Sequence, residues 1–122
     1  MGIYRGRDKM KLLIAGSRGI TTFDLMPYIT EDVDTIISGG AKGVDALAEQ
    51  YADSHHLSKY IIQPKYKQFG RVAPLKRNEE MINMADSVLV IWDGVSKGAD
   101  YTIKYAKKSG KPITVVKVDV DK

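Results

Sequence analysis

Four short stretches of this chain carry the residue types from which an anion-binding site is made. They are Gly16-Ser17-Arg18-Gly19, Ser38-Gly39-Gly40-Ala41-Lys42-Gly43-Val44-Asp45, the pair Arg77-Asn78, and Asp93-Gly94-Val95-Ser96-Lys97-Gly98-Ala99-Asp100. The second is the most informative. Gly39, Gly40 and Gly43 fall close together, so backbone can approach a ligand with no Cβ in the way. The loop opens directly into a helical pattern, and the free N–H groups and positive dipole end of a helix start favour an anion. The dipole contributes on the order of 0.3–1 kcal/mol per exposed charge, so side-chain cations must add to it. Lys42, Arg18 and Arg77 are the candidates. A glycine-rich turn can equally be a plain strand-to-helix connection; convergence of four such loops on one sheet edge is what favours a ligand site.

The remaining candidates each have a structural reading beside the functional one. Asp45 in a first helical turn opposes the dipole or contacts ligand. Arg77 and Asn78, near a helix start, suit a phosphate and a base or sugar edge. Ser96, followed by Lys97 and Gly98, is expected to cap the last helix, with some role toward the ligand. Asp93 ends an apolar run and either starts a turn or lines the site. His55-His56 closes a helix; adjacent histidines point apart and no carboxylate has metal spacing to them, so a dipole partner is expected rather than a metal. Tyr66 and Phe69, interleaved with Lys65, Lys67 and Arg71, form a loop able to stack a base or to act as a lid.

Two nucleotide fingerprints are absent. Gly39 to Gly43 is not G-x-G-x-x-G, and Gly43 is followed by Val44 and Asp45 rather than the Lys-Ser/Thr of a P-loop. Ordinary dinucleotide-dependent dehydrogenase and ATPase chemistry are disfavoured, and no cofactor or metal is predicted.

The elements that must position these stretches alternate along the chain. Apolar runs at Lys11–Ala15, Thr35–Ser38, Tyr60–Gln63, Ser87–Trp92 and Pro112–Val118 read as strands, the fourth buried on both faces. Val44, Leu47, Ala48, Tyr51 and Ala52 lie at i, i+3, i+4, i+7 and i+8, one stripe of a helix over residues 44–56. Pro74 opens a helix to about Ala85, and Lys97 to Ser109 forms the last, stopped by Gly110 and Pro112. Over Thr22 to Ile29, Thr22 is available as an N-cap but Pro27 makes any helix kinked or brief, and residues 65–70 read as a polar loop. Strands alternating with helices predict an α/β, three-layer Rossmann-like domain over residues 10–122 with a five-stranded parallel sheet in the order 3-2-1-4-5. Ligands of such sheets bind beyond the strand C-termini at the switch between strands 1 and 4. Residues 1–9 read as a loose arm or cloning remnant, with Met10 a natural start.

Composition sets the outer limits. The 122 residues suit one domain, and 43% apolar with 28% charged residues argues against disorder. Apolar runs are too short for a membrane span, and no segment near Met1 resembles a signal peptide. With no cysteine there is no disulfide or thiolate chemistry, which fits a reducing, cytoplasmic location. The net charge is +4, and Arg5, Arg7 and Lys9 against Asp8 supply half of it. The rest of the chain is too weakly basic to make nucleic acid the favoured partner. An exposed sheet edge or helix face leaves room for a homodimer.

The four stretches, in this order, resemble the SLOG superfamily, in particular its small bacterial and phage members related to YpsA and YspA. The matching pieces are Ile14-Ala-Gly-Ser-Arg18, Ser38 to Asp45, Leu75-Lys-Arg-Asn78 with Met84-Ala-Asp86, and Trp92-Asp-Gly-Val-Ser-Lys-Gly98. They span nearly the whole chain from Met10 to Val118. The Ser-Gly-Gly-Ala, Arg-Asn and Ser-x-Gly elements are also similar to the Rossmann-like core of the DNA-processing protein A family, which binds single-stranded DNA. The resemblance implies a pocket for a nucleotide or nucleotide-derived ligand, lined by the glycine-rich loop and the Arg77-Asn78 helix start, and a signalling-nucleotide sensor as one form of it. More distantly, the chain is similar to the Lonely Guy phosphoribohydrolases, whose loop after strand 4 reads Pro-Gly-Gly-x-Gly-Thr-x-x-Glu. Arg77 matches their helix arginine. Their glutamate falls on Thr102, which cannot stabilise an oxocarbenium-like centre, and Asp100 is turned about 200° away on a helix. The resemblance therefore implies a binding module first; N-glycosidic or phosphate-ester hydrolysis by Asp45, Asp93 or Asp100, and single-stranded DNA binding suggested by the basic excess and the Lys65 to Arg71 loop, are the alternatives.

Overall fold

In the computed structural model, which describes residues 10–119, the apolar runs become five strands. They are β1 (Met10–Gly16), β2 (Val33–Ser38), β3 (Ser58–Ile61), β4 (Ser87–Trp92) and β5 (Ile113–Lys117). The arm expected at residues 1–9 lies outside the described residues. All four pairings are parallel, and the order is β3-β2-β1-β4-β5, as the sequence predicts. The helices are α1 (Val44–Ser54), the single turn α2 (Tyr66–Phe69), α3 (Ala73–Met84) and α4 (Lys97–Lys108).

Two-residue alternation divides the strand side chains between two cores. Leu12 and Ile14 of β1, Ile36 of β2, and Leu89 and Ile91 of β4 pack with Val44, Ala48 and Ala52 of α1. Their neighbours Leu13, Ala15, Ile37, Val88 and Val90 pack on the opposite face with Met81 and Ile82 of α3 and Ala99, Ile103 and Ala106 of α4. Helices on both faces make three layers. The three central strands are buried on both sides, which is why β1 and β4 read as continuous apolar runs. All four residues of β3 are exposed, as befits an edge strand. Among the described residues no helix is long and apolar enough to cross a membrane.

Three local expectations need correction. Between Thr22 and Ile29 there is only a 3-10 turn, Met26–Tyr28, with Pro27 at its start. Asp24, not Thr22, meets its first amide, Oδ1 accepting the Met26 N–H at 3.1 Å. β3 begins two residues earlier than its apolar run, because its register against β2 pairs Thr35 with Ser58 and Ser38 with Ile61. The stretch after it is not a plain loop. α2 is closed by Gln68 and Phe69 N–H groups on the Lys65 carbonyl, followed by a 3-10 turn at Gly70–Val72. A four-residue helix with no buried side chain leaves no periodic signal in the sequence.

Leu13 is fully buried in the middle of the sheet, whereas Tyr60 on the edge is 47% exposed. Urea titration should show Leu13→Ala losing about 2–5 kcal/mol and Tyr60→Ala changing by about 0.5 kcal/mol or less. Comparable losses in the two variants would contradict the placement of β3 at the edge.

Candidate functional site

Ser17, the first residue past β1, is almost wholly buried, and every polar atom it has is engaged. Its N–H donates to the Ile91 carbonyl at 3.0 Å, continuing the β1–β4 ladder. Its carbonyl accepts the N–H groups of Ile20 and Val44, each at 3.3 Å. Its Oγ accepts the Asp93 N–H at 3.0 Å and lies 2.9 Å from Ser96 Oγ. Ser96 Oγ in turn lies 2.9 Å from both Asp93 carboxylate oxygens. An ionised carboxylate only accepts, so Ser96 donates to Asp93 and Ser17 donates to Ser96. One residue thus ties together the loops after β1, β2 and β4.

Asp93 is held ionised by this arrangement. The N–H of Val95, then that of Ser96, bond its Oδ1, at 2.9 and 2.8 Å, and with the serine hydroxyls they bring its pKa down to about 2. Asp93 therefore shapes the turn. Ser96 stands at the N-cap position of α4, but its side chain is committed to Asp93 and Ser17, so the expected cap bond does not form. Among the described residues, the first-turn N–H groups of Lys97, Gly98 and Ala99 have no protein acceptor.

Of these residues, Gly98 and Ala99 line a cavity of about 350 Å³ at the β1–β4 switch. Of the predicted site residues, Gly16, Ser17, Arg18, Ala41, Asp45, Arg77, Asn78, Ser96 and Gly98 line it together. Arg77 is half-buried. Its Nε donates to Asn78 Oδ1 at 2.8 Å, and its Nη1 donates to the carbonyls of Gly39 at 2.5 Å and Ile62 at 3.3 Å. Burial lowers its pKa, Asp45 opposes that, and the charge of Arg18 adds to it; an arginine stays protonated regardless. Its Nη2 has no hydrogen-bond partner among the described residues. Arg18 is exposed at the mouth.

Among the described residues, Asp45 is the sole carboxylate lining the cavity. It is 7% exposed, and burial raises its pKa against the Ala41 N–H on Oδ2 (3.1 Å) and the nearby Arg77 charge. Gly39 makes room for both charges. A Cβ there would stand 2.7 Å from Arg77 Nη1 and 3.0 Å from Asp45 Oδ2.

The structure does not bring every predicted residue into the cavity. Gly39 supports it from behind. Gly40 faces Gln63 and Ile61 toward the sheet edge. Gly43, at φ +71°, is pressed on the Ser17 and Arg18 carbonyls, where a Cβ would come within 2.4 Å of Arg18 O; it is required for loop packing. Lys42 and Lys97 are exposed and do not line the cavity, and Asp93 serves the turn. Asp100 pairs with Lys104 at 2.9 Å. His55 Nδ1 lies 3.0 Å from the Tyr51 carbonyl, and its ring stacks on Tyr51. Lys65 pairs with Glu80 at 3.5 Å beside a groove that also holds Phe69, Lys76 and Glu79, so carboxylates line the basic loop.

Sequence reasoning missed Pro74 and Met81 of α3 and gave Thr102 of α4 no part in the site. A signal was present: Pro74, Arg77, Asn78 and Met81 stand at i, i+3, i+4 and i+7, one face of a helix. Thr102 is buried and its Oγ1 donates to the Gly98 carbonyl at 3.1 Å.

The low pKa of Asp93 stabilises the fold above the ordinary carboxylate value of 3.8, and that contribution is lost as pH falls toward about 2. Asp93→Asn keeps an acceptor for the turn but does not titrate. Its melting temperature, followed by circular dichroism, should fall less steeply across that window than that of the wild type; parallel curves would exclude Asp93 as a contributor. Comparison with known proteins finds no matching family model, no matching curated protein and no matching solved structure.

Proposed function

We propose that this chain is a cytosolic binding module for a nucleotide or nucleotide-derived anion. The observation that carries the reading is the cavity at the β1–β4 switch, where Arg18, Arg77 and Asn78 meet the uncapped first turn of α4. Switch points of parallel α/β sheets are where such folds take ligands. Free N–H groups at a helix start bind phosphate oxygens, and two guanidiniums add charge and directed donors. A cavity of about 350 Å³ is at the small end of ligand sites, the size for a mononucleotide or part of a larger signalling nucleotide. The resemblance of the four loop segments to the SLOG superfamily supports the same reading, including a sensor role.

Hydrolysis is the weaker reading. Thr102, at the position of the hydrolase glutamate, has its hydroxyl on a backbone carbonyl, and Asp100 is paired with Lys104. Among the described residues, Asp45 is the one carboxylate at the cavity wall.

Isothermal titration with ribonucleoside monophosphates and cyclic ADP-ribose variants tests the proposal. Arg18 is exposed and makes no ion pair among the described residues. Arg18→Ala should therefore weaken binding about tenfold while shifting the melting temperature by about 1 °C or less. Absence of binding across the panel, or full affinity in the variant, would refute it. Release of free base from a nucleoside monophosphate would favour the enzyme instead.

A further inference from the structure

Asp45 is more than nine-tenths buried, yet the protein leaves much of its acceptor capacity unused. A carboxylate offers about four lone-pair sites. The protein supplies the Ala41 N–H to Oδ2 within hydrogen-bond distance, and the Gly39 backbone adds a smaller contribution. Two nearby groups that could supply more, the Ser38 hydroxyl and Arg77 Nη1, are engaged elsewhere. Ser38 Oγ bonds the Asp45 carbonyl and Glu49 Oε2 rather than the carboxylate. Arg77 sends Nη1 to the Gly39 and Ile62 carbonyls and makes no ion pair with Asp45 within 4.0 Å. A buried charged acceptor left short of donors is costly, and such groups are normally satisfied.

We propose that Asp45 selects a ligand carrying a hydroxyl pair beside its anionic group, as the ribose of a ribosyl phosphate does, and accepts hydrogen bonds from that pair. The inference rests on the anion-binding reading above and deepens it. A cationic group on the ligand is disfavoured at this wall, because Arg77 is adjacent to Asp45 and Arg18 adds to the positive potential there. A second anionic group is repelled by Asp45 itself. What remains is a neutral donor. The cavity is small, so the donor must be close to the phosphate in the ligand's covalent structure. Sugar hydroxyls meet that condition, whereas the far edge of a base does not.

The test is titration of the whole protein with ribose 5-phosphate, 2-deoxyribose 5-phosphate and inorganic phosphate. Wild type should bind ribose 5-phosphate about tenfold more tightly than the deoxy sugar, the discrimination expected for hydrogen bonds to a charged acceptor. In Asp45→Asn, which keeps an acceptor for Ala41, the ratio should shrink to about twofold. Equal affinity of wild type for the two sugars overturns the inference while phosphate binding leaves the anion site standing. A ratio that persists in Asp45→Asn assigns the selectivity to another residue and overturns it as well. No binding of any of the three refutes this inference. Should Asp45→Asn fail to fold, the wild-type ratio decides alone.

Discussion

The structure depends on one convergence, the meeting of three strand-end loops on the buried residue Ser17. A serine left short of partners there would cost on the order of 1–3 kcal/mol for each unsatisfied group. Instead its N–H, carbonyl and hydroxyl reach Ile91, Ile20 and Val44, and Asp93 and Ser96. The bonds to the β2 loop work only because Gly43 has no Cβ and adopts φ +71°, so that its backbone can lie on the Ser17 and Arg18 carbonyls. Loops that would otherwise move independently are held as one rim.

That rim has a consequence for charge. Because Ser96 is spent on Asp93 and Ser17, it does not cap α4, and Gly98 and Ala99 of the uncapped turn stand on the cavity wall. Because Arg77 directs Nη1 to the carbonyls of Gly39 and Ile62, it acts on Asp45 as a nearby charge without a direct ion pair. Both diversions leave polar groups unpaired by protein along one wall. Donors and cations sit beside a lone buried carboxylate, an arrangement suited to a ligand that is anionic at one point and a hydrogen-bond donor nearby.

Much of this was legible in residue order. The strand–helix alternation and the length of the apolar runs predicted the sheet order that is observed. Seven of the nine predicted residues that line the cavity stand at or just past the ends of β1, β2 and β4, which a parallel sheet puts on one side, and Arg77 and Asn78 reach it from α3. The failures have a common cause. Gly40, Gly43, Lys42 and Lys97 share the right segments but point elsewhere, and direction within a loop follows from contacts with other loops. Ser96 has the residue type of an N-cap, yet Asp93 and Ser17 outcompete the helix for its hydroxyl. Pro74 and Met81 were overlooked because apolar residues on a helix read as core, although their spacing with Arg77 placed them on the same face.

Periodicity and turn chemistry alone determined the α/β class, the five strands and the edge on which polar loops gather, since these follow from backbone geometry and apolar burial that act over a few residues. Tertiary packing decided which side chains reach the cavity, that Asp45 is buried without an ion-pair partner, and that Arg77 braces backbone carbonyls. Those outcomes are set by competition among groups up to 79 residues apart, as between Ser17 and Ser96. No local pattern records which acceptor a donor will find once the chain has folded.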